Sequence, residues 1–163
     1  MSNVLVSRTE KPAAEITPTT VNYSVHPGIG DGEPRPIYRN FGELHWRTKA
    51  EIAALRSWPE SWNGYDAAAP NLDAIRHAYS WIEDLYEDTL TTGRGWLSPH
   101  VVADAQGNVV LEWWEGQKKL TVYVHPGAVE YVKVWGPDIY SDMEDGEVGG
   151  AEDRRTLWNW LTG

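Results

Sequence analysis

The chain has 163 residues, enough for one domain, and 41% of them are hydrophobic, close to the share in an ordinary globular domain and enough for a core. Its 24 acidic against 14 basic residues leave a formal charge of −10, which argues against a binder that displaces phosphate counterions with Lys and Arg. With no cysteine, disulfides, thiolate nucleophiles and cysteine zinc sites are excluded together.

No run approaches the length of apolar residues that spans a bilayer. The N-terminus lacks a charged segment followed by an apolar one, so no secretory signal is expected. Composition therefore predicts a soluble, cytoplasmic protein. Ten Trp and eight Tyr stand beside a single Phe. Such rings serve either as a bulky core or as anchors on a binding surface.

Residues 1–40 are polar, carry five prolines and show no sustained period. They read as an extended, partly disordered arm, with one short strand at Val21 to His26. Val25-His26-Pro27-Gly28 recurs as Val124-His125-Pro126-Gly127, which two strand ends with the same turn chemistry explain. Residues 41–163 read as a single α+β domain.

A first helix is predicted over Arg47–Ser57. Thr48 and Glu51 have capping-box spacing, Ile52, Leu55 and Trp58 share a face, and Pro59 stops it. A second helix starts at the N-cap Asn71, and Gly93 is its C-cap. Leu72, Ile75, Tyr79, Ile82 and Tyr86 form its apolar stripe. From Trp96 to Trp135 the period changes to two, cut by turns at 106–108, Glu115-Gly116 and Pro126-Gly127. This predicts a four-stranded antiparallel meander.

With Glu115-Gly116 as a two-residue turn, Trp114 pairs with Gln117, Glu112 faces Lys119 and Leu111 faces Leu120. Val109, Leu111, Leu120, Val122 and Val124 then point to the core. Val110, Glu112, Trp114, Lys119, Thr121 and Tyr123 point away. Residues 138–153 hold seven carboxylates and no Lys or Arg, and with Gly146, Gly149 and Gly150 they read as a mobile acidic loop over 138–150. A short helix from Ala151 or Glu152 to Leu161 closes the chain.

No phosphate-cradling glycine loop, nucleophile elbow or zincin helix is present. The five histidines (His26, His45, His77, His100 and His125) are dispersed, and His77, off its helix's apolar stripe, reads as solvated. A site using His100, Asp104 and His125 is conceivable from strand parity. Neither a cofactor nor a metal is called for.

Acidic clusters are more specific. Glu83, Asp84, Glu87 and Asp88 make two i, i+4 like-charge pairs near a helix C-terminus, each costing roughly 0.2–0.5 kcal/mol. They read either as a solvated face or, joined by Asp142, Glu144, Asp145 and Glu147, as a patch for a basic surface. The outer sheet face is a second candidate, where Trp114 and Tyr123 next to Glu112 and Lys119 form an amphipathic aromatic platform if nothing covers them.

The segment Trp58-Pro-Glu-Ser-Trp62-Asn63-Gly64-Tyr65-Asp66-Ala-Ala-Ala-Pro70 joins the two helices. Gly64 permits positive φ, Asn63 tolerates it, and Trp58, Trp62 and Tyr65 are expected to pack beneath the turn and fix the interhelical angle. The pattern Trp-Asp/Asn-Gly-Tyr-x-Ala-x-x-Pro before a helix, followed by a sheet with Leu111-Glu112-Trp113, resembles a group of small uncharacterised bacterial and phage proteins. The resemblance covers about residues 47–135, with Asn63 where Asp is expected. It implies association with phages and mobile elements, and so an anti-CRISPR-like or antitoxin role in a bacterial host cell.

The leading expectation is a non-enzymatic acidic module that binds a protein with a basic surface, without direct nucleic-acid or membrane binding. The alternatives are a small-ligand or carbohydrate-binding domain using exposed Trp and Tyr rings, and a small hydrolase. Oligomeric state is open.

Overall fold

The computed structural model describes residues 39–163, and side chains from Phe41 onward. The expected Val21–His26 strand and the Val25–Gly28 repeat lie outside the described residues, as does the predicted arm apart from Arg39 and Asn40.

Helix α1 spans Arg39–Ala54 and continues as a single 3-10 turn over Leu55–Ser57. It begins eight residues before the predicted start at Arg47. Thr48 is not an N-cap. Its hydroxyl donates back to the Leu44 carbonyl at 3.1 Å, the mid-helix use of a threonine. Ile52 and Leu55 are buried as the stripe predicts.

Helix α2 spans Leu72–Thr92, with Asn71 accepting from the Asp73 and Ala74 amides and Gly93 left-handed at φ 67°. Its buried side is wider than the five-residue stripe. Leu72 is exposed, while Ala74, Ala78, Trp81 and Leu85 join Ile75 and Ile82 in the core. Trp81 approaches the Trp113 ring of the sheet, whereas Tyr86 stacks on His45 of α1.

Among the described residues the sheet is a five-stranded antiparallel meander: β1 His100–Ala103, β2 Val109–Glu115, β3 Lys118–Val124, β4 Val129–Val134 and β5 Met143–Glu147, paired in that order. Helix α3, Ala151–Thr162, follows and buries Leu157, Trp158 and Leu161. The architecture is α+β, with one strand more than the sequence predicts. β5 comes from the segment read as a loop.

The β2–β3 register differs from the predicted one. Glu115 pairs with Lys118, Trp114 with Lys119 and Leu111 with Val122, so the two-residue turn is Gly116-Gln117. Gly116, at φ 59°, takes the first central position, where a hairpin demands a positive φ. The shift moves each partner by two residues, so the faces are unchanged. Val109, Leu111, Leu120, Val122 and Val124 are all buried in the core, joined by Trp113.

The loop before α2 clamps the sheet as well as the helices. Ala68 N–H donates to Ala105 O at 2.9 Å, and Asn71 N–H to Gly107 O at 2.8 Å. Gly107, at φ 85°, leaves only 2.7 Å between a would-be Cβ and the Ala69 carbonyl oxygen. Trp58 and Trp62 pack together, and Trp62 Nε1 donates to Ala68 O at 3.1 Å. Asn63 Oδ1 accepts from the Tyr65 amide. The positive φ angles fall at Ser61 and Gly64 rather than Asn63. Tyr65, expected beneath the turn, is 78% exposed.

Candidate functional site

The acids at the end of α2 are largely committed to the fold. Lys49 of α1 bonds Glu83 and lies over the rings of Tyr79 and Trp46, 4.4 and 4.7 Å from their centroids. Burial opposes the Lys49 charge, but hydrogen bonding to Glu83 and Tyr79 more than offsets it, so its pKa is raised. The same hydrogen bond holds the Glu83 carboxyl below its ordinary value. Arg154 of α3 reaches Asp88 at 2.7 Å and Asp84 at 3.4 Å. Glu87 is exposed and carries no ion pair among the described residues.

Beside Lys49 sits His45, buried and stacked on Tyr86 at 4.0 Å with the planes 5° apart. Burial lowers its pKa below 6.5, and the Lys49 charge lowers it further against an opposing pull from Glu83. An unfolded His45 therefore takes up a proton at a pH where the folded one refuses it. This contribution to stability is complete above pH 6.5 and is lost as pH falls from there toward the lowered folded value. Denaturant midpoints measured from pH 7 downward should fall in wild type, and the His45→Phe variant should lack the component nearest pH 6.5. A separate loss, from Glu83 and Glu144, belongs below 4.5, because their folded pKa values are depressed.

The acids after β4 divide by strand parity. Asp142 is a turn residue, accepting from the Asp138 amide and the Ser141 hydroxyl. Glu144 bonds Lys133 at 2.9 Å and accepts from the Tyr131 hydroxyl at 2.8 Å, which lowers its pKa and raises that of Tyr131. Gly146 lies under Tyr131, where a Cβ would meet the ring at 3.0 Å. Asp145 and Glu147 face the other way. They share the outer sheet face with Tyr123 and Trp114, so the structure brings four of the sequence-nominated residues to one surface.

Across that face run the rows Val110–Tyr123–Glu130–Glu147, Glu112–Thr121–Val132–Asp145 and Trp114–Lys119–Val134–Met143. Lys119 bridges to Glu112 at 2.6 Å and lies 5.0 Å from the ring centroid of Trp114. Val110 and Thr121 are buried in the middle of the face. At its β4–β5 end, Glu130, Asp145 and Glu147 stand exposed around a shallow depression of about 330 Å³. Their only close positive partner among the described residues is His125, 3.3 Å from Glu130 and charged only when protonated. Glu130 directly opposite Glu147 costs the sheet on the order of a few tenths of a kcal/mol. Sequence reasoning passed over Glu130, although the alternation in Val129–Val134 places it outward.

Asp104 is used by its own turn, accepting from Gln106, Asn108 N and Asn108 Nδ2, and no group of three metal-binding side chains is gathered among the described residues. His77, read as solvated, is half-buried and its Nδ1 donates to His125 O at 2.8 Å. Among the described residues no helix is long and apolar enough to cross a membrane. Comparison with protein-family models, curated proteins and solved structures finds no match.

Proposed function

We propose that this chain is a non-enzymatic, acidic protein-binding module that neutralises a basic, nucleic-acid-handling partner, in the manner of an anti-CRISPR-like inhibitor or an antitoxin. The observation that carries the reading is the gathering of Glu130, Asp145 and Glu147 beside Tyr123 on one sheet face, with no Lys or Arg paired to them among the described residues. The chain's charge of −10 supports it, because a field of that sign steers a basic surface toward the molecule. So does Trp114 at 55% exposure, an aromatic of the type that anchors interfaces. The resemblance of the Trp62–Pro70 segment to phage and mobile-element proteins favours a partner from a conflict system. The Glu83/Asp84/Glu87/Asp88 cluster takes a minor part, since Lys49 and Arg154 already hold three of its four acids.

The test is capture from bacterial host lysate by wild type and by the triple variant Glu130→Lys/Asp145→Lys/Glu147→Lys. Basic nucleic-acid-binding proteins should be retained by wild type at 0.1 M salt, where charges are felt over about 10 Å, and released near 1 M, where the range is about 3 Å. The triple variant should retain none of them. Capture that survives both high salt and charge reversal overturns the reading.

A further inference from the structure

Among the described residues β5 is an edge strand, hydrogen-bonded to β4 alone. Two flanking bonds fix which of its backbone groups face outward. Val148 N–H donates to Val129 O at 2.8 Å, and Trp135 N–H donates to Asp142 O at 3.0 Å. In an antiparallel ladder such hydrogen-bonded pairs recur at every second residue. Glu144 and Gly146 are therefore turned toward β4. The N–H and C=O groups of Met143, Asp145 and Glu147 point to the open edge, and no hydrogen bond among the described residues reaches them. The same three residues carry the side chains of the acidic outer face.

We propose that this edge accepts an extended segment of the basic partner as a sixth, antiparallel strand. The proposal rests on the reading above and names how that partner is held. Alternate residues of the incoming strand would stand beside Glu147, Asp145 and Met143 on one face. Charge and polarity then define its pattern as basic-x-basic-x-apolar. The apolar position is extended by Ile139 and Tyr140, 61% and 94% exposed in the turn just before β5.

A second copy of this chain is a poor occupant. β5 against β5 sets acid beside acid, and the other edge, His100–Ala103, offers no Lys or Arg. Acidic side chains guard an edge against self-pairing. The same charges select a strand of opposite sign, so that backbone bonds supply affinity and alternate side chains supply specificity.

The experiment titrates the full chain with a short synthetic peptide in which lysine, lysine and leucine alternate with threonine. Two controls accompany it: one of the same composition with its lysines adjacent, and one N-methylated at the residues facing Asp145 and Glu147. The alternating peptide should bind and slow hydrogen exchange at the Asp145 and Glu147 amides. Both controls should bind about tenfold or more weakly, since each loses paired charges or edge hydrogen bonds. The Asp145→Lys/Glu147→Lys variant should instead prefer a peptide with glutamate in place of lysine. Equal binding of the three peptides, unchanged exchange at the edge amides, or no binding of any of them overturns strand addition. If the lysate capture still depends on salt and on the three acids in those cases, the broader reading stands without it.

Discussion

Alanine at Trp113 is expected to cost about 3–5 kcal/mol, the range for deleting a large buried aromatic. That is a large part of the roughly 5–15 kcal/mol that holds a domain together. The side chain is 1% exposed and lies where the sheet meets two helices. Its ring stands 6.2 Å from Trp81 of α2 and 6.0 Å from Trp158 of α3, and its Nε1 donates to Leu97 O at 2.9 Å. Phenylalanine should recover part of the loss by refilling space, while leaving the Leu97 carbonyl without its donor. The neighbouring residue is the control. Trp114 points to the opposite face at 55% exposure, and its replacement by alanine should stay within about 0.5 kcal/mol. Urea titrations of the three variants test this ordering. Equal losses at 113 and 114 would contradict the assigned faces.

That contrast between adjacent tryptophans was legible as parity alone. Period two assigned the faces of β2 and β3 correctly even though the turn was placed one residue early, because moving each partner by two residues preserves the face. What the error altered was pairing. Glu112 and Lys119, expected directly opposite, are diagonal neighbours joined by a salt bridge. The turn was decided by the one backbone position that needs positive φ, and Gly116 fills it. β5 was illegible for a different reason. Its inward positions are Glu144 and Gly146, which carry no apolar signal; Tyr131 and Lys133 of β4 cover them instead. The start of α1 was hidden by Thr48 and Glu51, whose spacing fits a cap but serves mid-helix here.

The candidate site was half legible for a related reason. A local reading sees acids, while their partners lie far away along the chain. Lys49 is 34 residues from Glu83, and Arg154 is 66 and 70 residues from Asp88 and Asp84. No spacing rule could have withdrawn those three carboxylates from the binding patch. Asp145 and Glu147 remained available because strand parity turns them away from Lys133.

The sharpest test of that division is Arg154→Met. Arg154 and Asp88 are 11% and 12% exposed at the side chain, so their pair is nearly enclosed between α2 and α3. Methionine keeps much of the apolar stem but strands the Asp88 carboxylate, and breaking a buried pair from one side typically costs about 3–5 kcal/mol. Arg155, 3.7 Å from Asp88 but 45% exposed, offers weak compensation. Adding Asp88→Asn should restore a substantial part of the stability, since the stranded charge is then gone, and the double-mutant cycle should return a clear coupling energy. Asp84, at 53% exposure, should contribute far less, and Glu87→Lys should change stability by no more than about 0.5 kcal/mol. Partner capture supplies the second readout. Asp88→Asn should leave it intact, whereas Asp145→Lys should impair it without a comparable loss of stability. If Arg154→Met is nearly neutral and Asp88→Asn abolishes capture, the acids of α2 are the working surface and the sheet face is not.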